Sequence, residues 1–392
     1  MSLTTEATSV TRRLVLIRVV NRLGAFAMGF LSLRLTHDLG ASLHLAGIVL
    51  AAFGVATIPS RLLGGLIANR YGARAALLTG LTTCAAAQLV IAVAPSLPAV
   101  VAGALLLGLA YEIVEPATQA LVAQGVPADR RAGSYALLGA ALAVAGVAAG
   151  VLAAVLTRWS VGALFVADAA TSLLAAGVAV RLPANRVRTD ARTAWRAVRS
   201  GRLAAWTALG CGYATLTMLV VFMLPLTIQA AGHRPSVTGW LLAAAAAAAI
   251  GAQRVVVHTE RRLAPATMLT LGYALLALGT ALWATGSLPA LVAGAVLEGA
   301  SGSLLLGTQQ AVASRLAPPG GAASVLAVYG LSWGVGTVVA PLVGTPLLAR
   351  GPGPLWLTCA ASAAAFALGA ALHRAAARRR QTLRAAEVSA GA

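Results

Sequence analysis

The 392-residue chain is 59% hydrophobic and only 10% charged, with a mean hydropathy of +0.86 and a formal net charge of +19. A soluble globular chain carries about a quarter charged residues, so a single aqueous core is excluded. The positive excess also argues against a nucleic-acid partner, because the 29 basic residues, all arginine, stand in short clusters between long apolar runs.

A transmembrane helix needs about 20 apolar residues. Twelve such stretches are predicted in chain order: 14–35, 43–67, 75–94, 97–122, 133–157, 161–181, 203–230, 236–257, 266–285, 288–313, 323–348 and 355–373. Residues 1–13 are polar and show no cleavage site behind a short apolar region, so no removable signal peptide is expected. The connections are short and rich in turn residues, as in Ala94-Pro95-Ser96-Leu97-Pro98 and Arg350-Gly351-Pro352-Gly353-Pro354. One connection is long, 183–202, and it carries Arg186, Arg188, Arg192, Arg196, Arg199 and Arg202 against the single acid Asp190.

Alternate connections decide topology. One set holds Arg12 and Arg13, Arg70 and Arg74, Arg130 and Arg131, the central loop, Arg261 and Arg262, Arg315, and the tail arginines 374, 378, 379, 380 and 384. The other holds little beyond Arg34, Arg158, Arg234 and Arg350. Positive charge marks the cytoplasmic side, so a multi-pass protein of the inner cell membrane is expected, with both termini and the central loop inside. The lipid bilayer is its first partner.

The three cysteines, Cys84, Cys211 and Cys359, fall in separate apolar runs with no disulfide or metal spacing and read as small buried hydrophobes. The histidines likewise show no ligand spacing, and no phosphate-binding loop or nucleophile–base set appears. Neither an enzyme nor a metal or organic cofactor is expected.

The chain repeats itself. Residues 96–127 align without gaps onto 287–318, and Ser96-Leu97-Pro98-Ala99 matches Ser287-Leu288-Pro289-Ala290. The fourth span thus corresponds to the tenth. The predicted organisation is an all-α protein of twelve transmembrane helices in two pseudo-symmetric six-helix bundles, 1–182 and 203–373, joined by the basic loop 183–202 and followed by a tail, 374–392.

Two six-helix halves related by an axis along the membrane normal resemble the major facilitator superfamily. The resemblance sharpens after the second span at Gly65-Leu66-Ile67-Ala68-Asn69-Arg70-Tyr71-Gly72-Ala73-Arg74, which is similar to that superfamily's cytoplasmic gating motif, and at Glu260-Arg261-Arg262 in the second half. It implies a gating role for Gly65, Asn69, Arg70, Gly72 and Arg74. Asn69 stands where the family carries an acid, so an ion pair closing the inner face would be weakened. The spaced glycines of drug/proton antiporters are reduced in the fifth span to Gly139, Gly146 and Gly150 without a proline.

An ionisable group at membrane depth costs about 2.5–3.5 kcal/mol on insertion scales and is a functional hypothesis by default. Tyr111, Glu112, Glu115, Thr118 and Gln119 recur at helical spacing and form one polar stripe. By depth, Arg22 of the first span is the expected partner of Glu112 and Glu115, and two neighbouring carboxylates resist ionising together. Glu112, Glu115 and Arg22 are therefore the expected proton-coupling set. Tyr111, Gln119, Tyr213, Thr217 and Glu298 are the expected substrate-cavity residues. Asp168 is read as structural, and Arg61, Gln253 and Arg254 as snorkelling near helix ends.

The expected function is secondary active transport: proton-coupled efflux of small amphipathic or cationic compounds by alternating access, driven by the proton gradient, with the protein acting as a monomer. A proton-coupled importer of a small solute is the alternative, and a transport-inactive sensor or scaffold the alternative of another class.

Overall fold

The computed structural model describes residues 2–24, 27–115, 117–118, 121, 131–182, 200–259, 263–317 and 322–390. Inside a bilayer every backbone N–H and C=O must be satisfied within the protein, and apolar runs do this as helices. All the regular elements among the described residues are helical. We number the spans α1 (Ser2–Gly24, then Ala27–Leu33 and a π-helical turn Arg34–Asp38), α2 (Leu43–Tyr71), α3 (Ala73–Val93), α4 (Leu97–Tyr111), α5 (Arg131–Leu156) and α6 (Val161–Ala179). The second half comprises α7 (Gly201–Ala230), α8 (Ser236–Thr259), α9 (Pro265–Trp283), α10 (Leu288–Arg315), α11 (Ala322–Tyr329 and Leu331–Ala349) and α12 (Pro352–Ala390). Among the described residues ten helices are long and apolar enough to cross a membrane, and the shorter apolar helices Leu97–Tyr111 and Ala140–Leu156 bring the spans to twelve.

Local sequence sets the helix starts. Ser42, Ser160 and Ser200 cap α2, α6 and α7, each hydroxyl accepting the N–H three residues on. Proline in the first turn opens α4, α9 and α10, where its missing N–H costs nothing. Gly72, with φ +98°, makes the sharp junction between α2 and α3 that a side chain would strain.

The two halves pack alike. In the first, α3 lies on α4 and α6, α2 on α4, and α1 on α5. In the second, α9 lies on α10 and α12, α8 on α10, and α7 on α11. Adding six to each helix number carries one set onto the other, which is the symmetry announced by the Ser96/Ser287 repeat.

The bundle has two unlike ends. At the arginine-rich end, Arg13 donates to the carbonyl of Arg181 (2.6 Å) and Arg74 to that of Leu182 (3.2 Å), gathering the starts of α1 and α3 onto the end of α6. At the other end Arg34 pairs with Asp38 (2.8 Å) and donates to the carbonyls of Ile91, Ala92 and Ala94 where α3 finishes. The halves meet through α2 with α11, α5 with α8, and α1 with α7. Their tight contacts fall from mid-span towards the Arg34 end. A Cβ on Gly47 would meet Thr345, one on Gly54 would meet the backbone of Thr337, and one on Gly150 the backbone of Ala243. Ser32 donates to the carbonyl of Phe222 (3.0 Å) in the same region. Towards the arginine-rich end, a Cβ on Gly65 of α2 or Gly251 of α8 would meet no atom of the described residues within 4 Å.

Two predicted spans change shape. The fourth, expected as one helix over 97–122, is regular only to Tyr111 and turns at Glu112–Ile113 before resuming. The sequence contains the reason: Pro116 has no N–H, and a proline ring crowds the carbonyl four residues back, here Glu112. The twelfth, expected over 355–373, continues as helix through the basic tail to Ala390.

Candidate functional site

The turn in α4 places its first glutamate against α2. The Glu112 N–H, released from the helix ladder, donates to Ser60 Oγ (3.0 Å), and both Nε and an Nη of Arg61 reach Glu112 Oε2, at 3.1 and 2.8 Å. Gly64, one turn beyond, lets α2 close on α4, since a Cβ there would lie 2.9 Å from Ile113 Cα. Glu115, on the resumed helix, takes an Nη of Arg18 on α1 at 2.6 Å. Arg61 and Glu112 are each about a fifth exposed (21% and 22%) and Glu115 is 40% exposed, so both pairs border open space rather than lying in a dry core.

The charged cluster thus forms with different arginines from those expected. Arg61, read as snorkelling, holds Glu112, and Arg22 does not. Arg22 lies one turn along α1 from Arg18, within electrostatic reach of Arg18 and Tyr111. The two glutamates face separate guanidiniums on separate helices, which relieves the mutual repulsion anticipated between them. Tyr111 is the hub: its electrostatic neighbours are Arg22, Glu112, Asp168 and Cys84, and its ring meets Phe53 edge-on at 6.0 Å. Gln119 lies outside the described residues.

The second half offers a different surface. Tyr213 is buried, its ring edge-on to Tyr273 (6.4 Å) and to Trp333 (5.9 Å), and Tyr273 stacks on Phe366 (5.2 Å). Thr217 donates back to the Tyr213 carbonyl (3.1 Å). Gln309 ties the group together: its amide donates to Tyr273 Oη (3.1 Å), its side-chain oxygen accepts from Tyr329, and its carbonyl accepts from Trp206 (3.1 Å). Glu298 stands on α10 within reach of Tyr213, and no hydrogen bond or ion pair joins it to a described residue. Only Tyr213, Thr217 and Glu298 of this set were anticipated. Tyr273, Tyr329, Trp333 and Phe366 come from three other helices and carry no spacing signal.

The gating motif divides in two. Gly72 turns the chain and Arg74 ties α3 to α6, both within the first half. Arg70 is exposed, its guanidinium 5.5 Å from the Tyr71 ring centre, Asn69 is exposed, and the Gly65 face is open. Glu260, Arg261 and Arg262, like the central loop 183–199, lie outside the described residues. Among the described residues no cluster of His, Cys, Asp or Glu could hold a metal ion.

Comparison with known proteins agrees with this architecture. The chain is 26% identical over 254 residues to the multidrug resistance protein MdtH of Yersinia enterocolitica, the match covering 63% of each chain. It is 28% identical over 222 residues to the MdtH protein of Shigella flexneri, covering 54% of each. The chain therefore spans less than two thirds of the length of these curated relatives. Among solved structures, the nucleoside transporter NupG (D323A mutant) superposes with a TM-score of 0.76 at 12% identity, covering 93% of this chain and 99% of that one. A structure of a proton-dependent oligopeptide transporter does so with 0.76 at 13% identity, over 95% and 100%. At these identities the likeness establishes the fold. The family model described as Major Facilitator Superfamily matches residues 14–259 and 205–390, and the chain belongs to that superfamily.

Proposed function

We propose that the protein exports small amphipathic or weakly cationic compounds in exchange for protons, its two halves rocking about the polar groups of α4. The observation that carries this reading is the pair of partly exposed ion pairs, Arg61–Glu112 and Arg18–Glu115, at membrane depth. A charge there is expensive, and a pair that keeps contact with open space remains accessible to a proton.

α2 supplies the coupling. It carries Ser60 and Arg61, which hold Glu112, and also Gly47 and Gly54, which pack on α11 across the two halves. A proton on a Glu112 carboxylate oxygen removes the charge that holds Arg61, and α2 is freed to shift against α11. Release of that proton on the other face restores the pair. The arginine-rich end faces the cytoplasm on this reading, and among the described residues the close contacts between the halves lie from mid-span towards the outer face. Glu298, a carboxylate within electrostatic reach of Tyr213 and without a basic partner among the described residues, favours a cationic, partly aromatic cargo.

The name of the MdtH relatives favours export, whereas the nucleoside and oligopeptide transporters that share the fold support a second reading as an importer. Everted vesicles loaded with a pH-sensitive dye separate the two. Export predicts that adding cationic aromatic compounds dissipates the acid-inside gradient, in vesicles containing the protein and not in controls. No compound-dependent proton movement, with solute uptake in right-side-out cells, would establish import instead.

A further inference from the structure

Asp168 lies on α6, inside the first half, with a relative exposure of 4%. The backbone of α1 presses directly on it: a Cβ on Gly24 would sit 2.4 Å from both its Cα and its Oδ1. Its main-chain carbonyl accepts from Thr171, and the next turn is tied to α1 by Asn21 donating to Ser172 Oγ (3.3 Å). Among the described residues, no hydrogen bond or ion pair reaches the carboxyl itself. That is unlike Asp38, Glu112 and Glu115 of this half, each of which holds an arginine.

A structural acid would be expected to have a donor, because burying one without a partner is costly. The groups that face it are few. α3 contributes Cys84, α4 contributes Tyr111, and α1 contributes Arg22, which neighbours Tyr111. The described part of α5 from 140 to 156 has no titratable group, and the turn after α1 has Arg34, His37 and Asp38, bonded to one another at the far end.

We propose that Asp168 is a proton site, carrying the transported proton while Glu112 and Glu115 are ionised and held by their arginines. Tyr111, within electrostatic reach of both Asp168 and Glu112, stands between them in this proposal. The proton leaving an Asp168 oxygen appears on Glu112, the count of protons unchanged. The charge then passes from Glu112, which lets go of Arg61, to Asp168. This deepens the proton-coupled reading and rests on it, and it moves the resting proton to a residue that the sequence alone assigns to structure.

The test uses the full chain in proteoliposomes. Infrared spectra at neutral pH are expected to show a protonated-carboxyl C=O band that is lost in Asp168→Asn and shifted in Asp168→Glu. Asp168→Asn is expected to lose at least tenfold in pH-driven accumulation while keeping substrate counterflow, and Asp168→Glu to retain both. A band unchanged by both substitutions, or full pH-driven accumulation by Asp168→Asn, overturns the proposal. If the wild type moves substrate without any response to pH, the transport reading beneath it fails, and the infrared band still decides whether Asp168 holds a proton.

Discussion

α4 and α10 share Ser-Leu-Pro-Ala in their first turn and a similar apolar run after it, yet α10 continues for 28 residues while α4 turns after 15. In the common register Glu112 falls opposite Ser303, and Pro116 opposite Gly307. Ser303 keeps its place in the helix and donates to the Ala249 carbonyl of α8 (2.8 Å). Glu112, opposite it, leaves the helix and binds α2 with both backbone and side chain. Glu112 and Pro116 fall in a charged, interrupted element, whereas Ser303 and Gly307 fall in a continuous strut behind an aromatic cluster. Functional asymmetry is thus laid over structural symmetry at a few positions.

The comparison can be broken from the α10 side. Gly307→Pro places α4's proline in the strut, and a proline inside a helix costs about 3 kcal/mol. The thermal midpoint in detergent should fall by several degrees, with loss of transport. An unchanged midpoint would mean that the proline does not cause the interruption of α4. The complementary Pro116→Gly should raise the midpoint and slow turnover by supplying the missing N–H to the Glu112 carbonyl and straightening the turn at Glu112. Faster turnover would contradict the role given to the turn.

Removing one partner of an ion pair is the next effect in size. Arg61→Ala leaves Glu112 uncompensated, and the cost should be about 2 kcal/mol, below that of a fully buried pair because both groups keep contact with open space. Arg61→Met combined with Glu112→Leu should recover most of that stability and none of the pH-driven transport. Failure of the double variant to recover would show that Arg61 does more than neutralise Glu112. The smallest effect belongs to the second half: Tyr329→Phe removes one donor to Gln309 and should cost about 1 kcal/mol, leaving pH dependence unaltered. A shifted pH profile in this variant would place proton handling in the second half.

Much of this was legible in the sequence, and the exceptions share a cause. Twelve spans follow from apolar run length, and the two halves from the Ser96/Ser287 repeat. Glu112 and Glu115 stood out by their charge at membrane depth. Their partners did not, because depth along a helix says how far a side chain lies from an end and nothing of its direction. Arg61 was nearer an end than Arg22 and was therefore set aside, yet the turn at Glu112 brings α4 onto it. That turn had a signal in Pro116, overridden by the helical spacing of the polar stripe. The aromatic group around Tyr213 had none, since Tyr273, Tyr329, Trp333 and Phe366 meet only when four helices pack. Asp168 has no hydrogen-bond or ion-pair partner for its carboxyl among the described residues, and a missing contact cannot be read from a one-dimensional pattern.

The central claim is that protonation of Glu112 couples the gradient to movement of the halves, and Glu112→Gln tests it most directly, since it keeps shape and hydrogen-bonding capacity while removing the titration. Gradient-driven uptake and counterflow of labelled substrate are measured in the same proteoliposomes. The account predicts that pH-driven accumulation disappears while counterflow survives. Accumulation at the wild-type level would contradict it and leave the α4 cluster a structural joint between α1, α2 and α4.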